Sequence, residues 1–230
     1  MHEGVGHGVT AYLSGARSLT ISTVALQSDN ASRWISANGT LVNLLCAAIL
    51  WVLLRRAENL RPASRYFLIL AMAGNLFAGT GYFLFSGVFN FGDWAAVIQG
   101  CEPRWLWRGG LIVVGVITYY ASMLLVRAEL KPFRERARAL CWTPYFTETL
   151  LAGIAGLPNP AGLFYVIASA LPSTLGANAG LLSLPSMLHG THAGGEPVGA
   201  IERSNAWIAA GVVASLLFIG VLGRGISWSR

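Results

Sequence analysis

Residues 35–54 read ISANGTLVNLLCAAILWVLL, an apolar run without a charged side chain. Roughly 20 helical residues rise about 30 Å, which is the thickness of the hydrocarbon core of a bilayer. Similar runs occupy residues 66–88, 111–126 and 206–222. The pattern predicts an all-α polytopic membrane protein in which each of these runs is a transmembrane helix.

The composition agrees with this fold class. Hydrophobic residues make up 54% of the chain and charged residues 11%, which is too little polar surface to cover a soluble globule of 230 residues. The formal net charge of +6 is explained by topology and anionic headgroups, since no compact basic patch with interleaved aromatics predicts a nucleic-acid partner. We expect the lipid bilayer as a partner and a bacterial-type cytoplasmic membrane as the location.

A fifth apolar region, residues 146–188, is interrupted by prolines at 158, 160, 172 and 185. Irregular backbone at membrane depth must be buried in protein or line a wet cavity. We therefore predict a short re-entrant or interfacial piece followed by a span over about 163–182. The total becomes about five transmembrane helices in one membrane domain, 1–230.

Basic residues distinguish the two ends of these helices. They are concentrated in residues 55–65 and 127–138, whereas the loop between the second and third runs has only Arg104 and Arg108. The positive-inside rule places the two basic loops in the cytoplasm. The end of the second run is then predicted on the non-cytoplasmic side.

The first seven residues, MHEGVGH, contain the parts of a zinc hydrolase. In such a site two neutral imidazoles hold the metal, and a carboxylate takes a proton from the metal-bound water. His2 and His7 are five residues apart, which would separate them by about 140° around an ideal α-helix. Both can face one ion if the helix takes in an extra residue as a π-bulge, and Gly4 and Gly6 permit that distortion.

The pattern His-Glu-x-x-Gly-His at residues 2–7 resembles the zinc motif of the dipeptidyl peptidase III family. The surrounding sequence resembles the site-2 protease (M50) family of intramembrane zinc metalloproteases. Residues 8–17 form a partial N-terminal helix that ends in a Gly turn, and residues 18–26 alternate like a short β-strand. Residues 38–44, NGTLVNL, resemble the family's Gly-Pro-Leu-Ala-Asn stretch, and residues 75–93 are similar to the region that supplies its third ligand.

The resemblance covers roughly the first 95 residues, and it implies a peptidase-like core over 1–95 with additional spans over 96–230. It implies that Asp93 joins His2 and His7 as the third ligand of Zn²⁺ and that Glu3 is the catalytic base. The family also has an apolar segment ahead of its zinc motif. We accordingly expect a further span to precede the motif in the full gene product.

Several polar residues have alternative interpretations. Asp93 could instead cap a short helix beginning at Trp94. Asn43 and Asn75 lie within apolar runs, where they would either hydrogen-bond neighbouring helices or contact the substrate or transition state. Glu148 is a reserve metal ligand without a matching motif.

A second group of possible metal ligands, His189 and His192, lies in a glycine-rich stretch that ends at Glu196. A mobile loop does not preorganise ligands, so this group is a weaker metal-site hypothesis than the N-terminal motif.

The sequence thus predicts a membrane-embedded zinc metalloprotease that hydrolyses peptide bonds in or near the bilayer, with a membrane protein or peptide as substrate. The alternative is a non-catalytic polytopic membrane protein, either a degenerate peptidase relative acting as a scaffold or a small transporter. The metal content of the purified protein distinguishes these hypotheses.

Overall fold

The computed structural model describes residues 1–160, 162–189 and 201–229. The chain starts with a π-helical segment, His2–Gly8, that continues into α1 (Val9–Leu13). Two antiparallel strands follow, β1 (Ser18–Ile21) and β2 (Leu26–Ser28). The rest is a bundle of long helices with this small sheet at one end.

The single strand predicted over 18–26 is a hairpin instead. The Ser22 hydroxyl donates to the carbonyl oxygen of Ala25 at 2.9 Å, and Ser22 Oγ accepts from the N–H groups of Val24 and Ala25. Serine forms such local bonds readily, and they reverse the chain between the two strands. The alternating pattern therefore indicated extended backbone correctly but not its division into two strands.

Three long helices form the first half of the bundle. They are α2 (Arg33–Arg56), α3 (Pro62–Phe89) and α5 (Arg104–Leu130), with the short α4 (Asp93–Val97) between the last two. Ser32 caps α2 by accepting from the N–H of Ile35, and Asn90 ends α3 in the left-handed conformation. α2 and α3 extend beyond the predicted runs 35–54 and 66–88 by a few residues at their ends.

Residues 137–156 form a complete helix, α6 (Ala137–Gly156), which corrects the prediction of a short re-entrant or interfacial piece beginning at 146. A 3₁₀ turn, Lys131–Arg136, separates it from α5. Pro144 has no N–H to donate to the carbonyl of Leu140, which would normally destabilise a helix at this point. The Tyr66 hydroxyl donates to that carbonyl at 2.7 Å, so the freed acceptor is satisfied from another helix.

The second half of the bundle contains shorter helical pieces. After α6 come α7 (Leu163–Tyr165), a π-helical turn (Val166–Ala170), α8 (Leu171–Ala177) and α9 (Gly180–Leu188). The stretch is broken at Asn178, inside the span predicted over 163–182. α10 (Asn205–Leu217) continues through a π-helical turn (Phe218–Leu222) to β3 (Ile226–Ser229).

The main hydrophobic core lies between α2, α3, α5, α6 and α9. Its most completely buried side chains are Ile69, Met72, Phe77, Val126 and Leu184. Outward-facing positions are also apolar, and no residue of α10 is buried. An apolar exterior on these helices is the arrangement expected of a protein whose solvent is lipid.

Five helical stretches within the described residues are long and apolar enough to cross a membrane: Arg33–Arg56, Pro62–Phe89, Arg104–Gly156, Val166–Leu188 and Asn205–Leu222. This number of stretches agrees with the prediction of about five transmembrane helices, but one stretch holds two helices. The third stretch contains two helices, α5 and α6, which run in opposite directions. Glu129 near the end of α5 lies beside Arg55 and Arg65, while Ala155 at the end of α6 reaches the hairpin through Thr23.

The sheet fixes how the chain passes along the bundle. Its strand order is β2-β1-β3, so a strand that precedes α2 pairs with a strand that follows α10. The described chain therefore returns to the end at which it started. It does so in six passes, made by α2, α3, α5, α6, the α7 to α9 stretch and α10.

Candidate metal centre

The π-helical segment brings the two N-terminal histidines together. The N–H of Gly6 donates to the carbonyl of Met1 at 3.0 Å, which is the five-residue hydrogen bond of a π turn. Residues five apart then lie on one face, as the spacing of the motif requires. The Nε2 atoms of His2 and His7 are 3.1 Å apart, with the two rings perpendicular.

Asp93, the first residue of α4, completes a triangle of donor atoms. Its Oδ2 lies 2.9 Å from His2 Nε2 and 3.3 Å from His7 Nε2. A tetrahedral zinc ion with bonds of about 2.0–2.1 Å holds neighbouring donors about 3.3 Å apart, so the donor set and its spacing fit this metal. The N-cap of α4 is Gly92, and Asp93 makes no capping bond there.

Glu3 lies next to this triangle. One donor atom from each of His2, Glu3 and His7 is within 4.8 Å of the other two. The backbone N–H of Leu26 in β2 lies close enough to the Glu3 carboxylate to favour its charged form. Glu3, His7 and Asp93 line a cavity of about 210 Å³, so a water molecule has room beside the carboxylate.

Charge interactions inside the site shift three pKa values. Burial raises the pKa of Glu3 despite the two nearby imidazoles. Burial also opposes ionisation of Asp93 and His7, but hydrogen bonds and charge attraction outweigh it. Hydrogen bonds to His2 and His7 lower the pKa of Asp93, and the hydrogen bond and charge of Asp93 raise the pKa of His7 to about 9. Metal binding requires neutral imidazoles, so a cation that binds His7 must displace its proton.

Contacts from α2 and α3 orient the two imidazoles. His7 Nδ1 donates to the carbonyl oxygen of Ile35 at 2.6 Å. In the neutral ring, Nε2 is then the acceptor nitrogen. The ring of Tyr82 stacks on His2 with the centroids 4.6 Å apart. Carbonyl partners of this kind fix the tautomer and orientation of metal-binding histidines.

Asn43, which lies in α2, contacts His2. Its carboxamide nitrogen lies 3.2 Å from His2 Nδ1, a pairing that leaves the His2 proton on Nε2, facing Asp93. A half-turn of the carboxamide exchanges its oxygen for its nitrogen, so that His2 Nδ1 donates and Nε2 is free to bind a metal. Asn43 is thus positioned to stabilise either tautomer of His2.

Two glycines allow the elements of the site to approach closely. A Cβ atom on Gly39 would lie 2.5 Å from His7 Nε2 and 2.7 Å from His2 Cε1. A Cβ atom on Gly6 would lie 2.5 Å from the Cα of Gly39. The π-helical segment can therefore rest against α2 only with glycine at both positions.

The other candidate site residues lie outside the triangle of donor atoms or outside the described part of the chain. Asn75 donates to the carbonyl of Ala71 in its own helix at 2.9 Å. Glu148 accepts a hydrogen bond from Asn178 and does not join the donor cluster in the described part of the chain. His189 is exposed just after α9, while His192 and Glu196 lie outside the described residues.

Sequence reasoning gave no role to Ile35, Gly39 or Tyr82, although each contacts a histidine of the site. Nothing in the chemistry of an isoleucine carbonyl or a glycine identifies it as part of a metal centre. The aromatic ring of Tyr82 was a weak signal, because it lies in the stretch that also contains Asp93.

No protein-family model, curated protein or solved structure matches the chain. The features of the chain that indicate a function are the donor triangle, the adjacent carboxylate and the apolar helices that surround them.

Proposed function

We propose that this protein is a membrane-embedded zinc metalloprotease that hydrolyses peptide bonds in or near the bilayer. The observation that carries the proposal is the triangle of His2, His7 and Asp93 donor atoms, with edges of 2.9, 3.1 and 3.3 Å and Glu3 beside it. Two imidazoles, one carboxylate and an adjacent acid match the donor set of catalytic zinc sites that keep one position open.

Each residue of the proposed site has a separate role. His2, His7 and Asp93 hold the metal, which when bound supplies polarisation of the scissile carbonyl and a lowered pKa for a coordinated water. Glu3 accepts the proton of the attacking water and returns it to the leaving amine. The backbone N–H of Leu26 lies near the Glu3 carboxylate and favours its charged form, which is the form that accepts the proton.

Exposed tryptophans support a position for the metal centre near the membrane surface. Trp34 begins α2, and Trp105 and Trp107 begin α5, at the end of the bundle that carries the metal centre; their exposed fractions are 72%, 73% and 48%. Tryptophan is enriched where headgroups meet hydrocarbon. The proposed cleavage site in the substrate is therefore close to one bilayer surface.

The charge distribution supports an orientation. The basic segments 55–65 and 127–138 lie at the opposite end of the bundle from the metal centre. The positive-inside rule puts that end in the cytoplasm. The proposed protease, an integral protein of a bacterial-type cytoplasmic membrane, accordingly cuts its membrane-protein or peptide substrate near the non-cytoplasmic surface.

The test compares the wild-type protein with Glu3→Gln in zinc-loaded proteoliposomes containing a mixture of single-pass membrane peptides. Loss of a general base lowers the rate by about 10²–10⁴-fold, so cleavage by Glu3→Gln should nearly disappear while zinc remains bound. Glu58→Gln, a change at an exposed acid outside the site, is the matched control and should cleave normally.

Two results would contradict the proposal. One is cleavage by Glu3→Gln at the wild-type rate. The other is a metal analysis in which the purified protein lacks stoichiometric zinc, or in which zinc is retained after His2 and His7 are both replaced by alanine. Either outcome of the metal analysis would favour the non-catalytic alternative.

A further inference from the structure

A second polar pair, Glu148 and Asn178, lies in the cavity that contains the N-terminal motif. Glu148 is in α6, and Asn178 is at the break between α8 and α9. Asn178 Nδ2 donates to Glu148 Oε1 at 3.0 Å. Both residues line a cavity of about 340 Å³ together with His2 and Glu3.

The pair retains unused acceptor atoms. Asn178 is 4% exposed, and its Oδ1 has no hydrogen-bond partner among the described residues. Because Nδ2 faces Glu148, this oxygen is turned away from the carboxylate. Burying a carboxamide oxygen without a partner is unfavourable, so a ligand that donates a hydrogen bond to it would be stabilised.

No lysine or arginine side chain compensates the charge of the Glu148 carboxylate within the described residues. The carboxylate forms no ion pair with a described residue, and no lysine or arginine is among the described residues that line the cavity. The same is true of the adjoining cavity of about 570 Å³, which Glu148 and Asn178 also line. A buried carboxylate is stable when a cation pairs with it, and a bound ligand is the available source of that cation.

One cavity connects the pair with the candidate metal centre, because Glu3, Glu148 and Asn178 all line the same space of about 340 Å³. A peptide with its scissile bond at Glu3 can therefore place a neighbouring side chain at Glu148 and Asn178.

We propose that Glu148 and Asn178 form a subsite for a primary ammonium or guanidinium group, supplied by a lysine or arginine side chain of the substrate. This inference rests on the proposed peptidase function for the identity of the ligand. Such cations carry several N–H donors and no acceptor, which matches a site made of a carboxylate and a free carboxamide oxygen. The low dielectric of the cavity strengthens the pairing.

The first test measures occupancy of the subsite without relying on catalysis. Dicyclohexylcarbodiimide enters membranes and modifies buried carboxyl groups, and peptide mass spectrometry measures the rate of modification at Glu148. We expect n-dodecylammonium to slow this modification roughly tenfold, the effect of a charge-assisted hydrogen bond. n-Dodecanol, with the same chain but no charge, should leave the rate unchanged.

Further controls separate donor recognition from other effects. n-Dodecyltrimethylammonium adds the same surface charge to the vesicle but has no N–H donor, so it should not protect Glu148. Asn178→Leu should weaken protection by n-dodecylammonium. Asn75→Leu, a matched change at an asparagine bonded only within its own helix, should retain it. Equal protection by all three amphiphiles, or by none of them in the wild-type protein, would overturn the proposal.

The second test separates this inference from the proposed function. Once a cleaved peptide is found, each lysine near the cut is exchanged for norleucine. Glu148→Gln should lower kcat/KM roughly tenfold for the lysine peptide and leave the norleucine peptide unaffected. Protection of Glu148 by the cation in a protein that cleaves no peptide would support the subsite and contradict the proposed peptidase function. Cleavage by the wild-type protein without a preference for lysine would contradict the subsite and support the peptidase function.

Discussion

Replacing Gly39 by alanine tests the geometry of the metal centre at its tightest point. The new Cβ atom would lie 2.5 Å from His7 Cε1 and Nε2 and 2.7 Å from His2 Cε1. Non-bonded carbon and nitrogen atoms prefer separations of about 3.5–4.0 Å, so the imidazoles must move by roughly 1 Å. Metal–nitrogen bonds at such sites tolerate about 0.2 Å, which is much less than this displacement.

We therefore expect Gly39→Ala to lose zinc affinity and to lower peptidase activity by about 10²-fold, the cost of misplacing a catalytic group by about 1 Å. Overpacking of this kind should also lower the free energy of unfolding by about 1–3 kcal/mol. Zinc affinity is measured by competition with a chromogenic chelator in detergent. Helicity and thermal unfolding are measured on the same samples.

Gly110→Ala is the matched control, because a Cβ atom at Gly110 in α5 would have no neighbour within 4 Å. It should bind zinc normally, and its unfolding temperature should not fall, because alanine favours helix over glycine. If Gly39→Ala folds and binds zinc as tightly as the wild-type protein, then the two imidazoles do not converge against α2 as described.

The other predictions concern His2 and the topology. Asn43→Ala should weaken zinc binding by about 10–100-fold, the usual effect of removing a partner that orients a metal-binding histidine, whereas Asn75→Ala should leave affinity unchanged in the same competition assay. Single cysteines at Gln27 and Ser227, in a cysteine-free background, should react with a membrane-impermeant maleimide from the same side of the membrane, because β1 pairs with both β2 and β3; labelling from opposite sides would contradict the six-pass path.

Local sequence patterns predicted the structural elements that depend only on residues close together in the chain. Runs of about 20 apolar residues identified α2 and α3, because length and polarity alone make a helix suitable for a bilayer. The five-residue spacing of His2 and His7 likewise indicated a π turn, since no other helical form puts both on one face. Each of these inferences needed only residues close together in the chain.

The prediction failed for α6 because its stability depends on a distant residue. Prolines at 158, 160, 172 and 185 led to the prediction of a short re-entrant or interfacial piece, and Pro144 lies within the helix that forms instead. The structure satisfies the carbonyl freed by Pro144 with the hydroxyl of Tyr66, and it pairs Glu148 with Asn178. Neither partner can be identified from the residues of α6 themselves.

The sequence likewise identified only some of the residues that form the candidate metal centre. The donors His2, His7 and Asp93 belong to residue types that bind metals, so they could be named from the sequence, whereas the contribution of Gly39 is the absence of a side chain. Its role becomes visible only when two backbones are seen to approach within a distance that excludes a Cβ atom.

The sheet connects the topology of the chain with its proposed chemistry. β2 places the backbone N–H of Leu26 near Glu3, β1 pairs with β2, and β3 pairs with β1 after the last helix. An odd number of crossings would place β3 and the metal centre on opposite sides of a bilayer and leave β1 with an unpaired edge. The division of Arg104–Gly156 into two antiparallel helices makes the number of passes along the bundle even. The helix α6, which was not predicted at full length, therefore lets the sheet close beside the candidate metal centre.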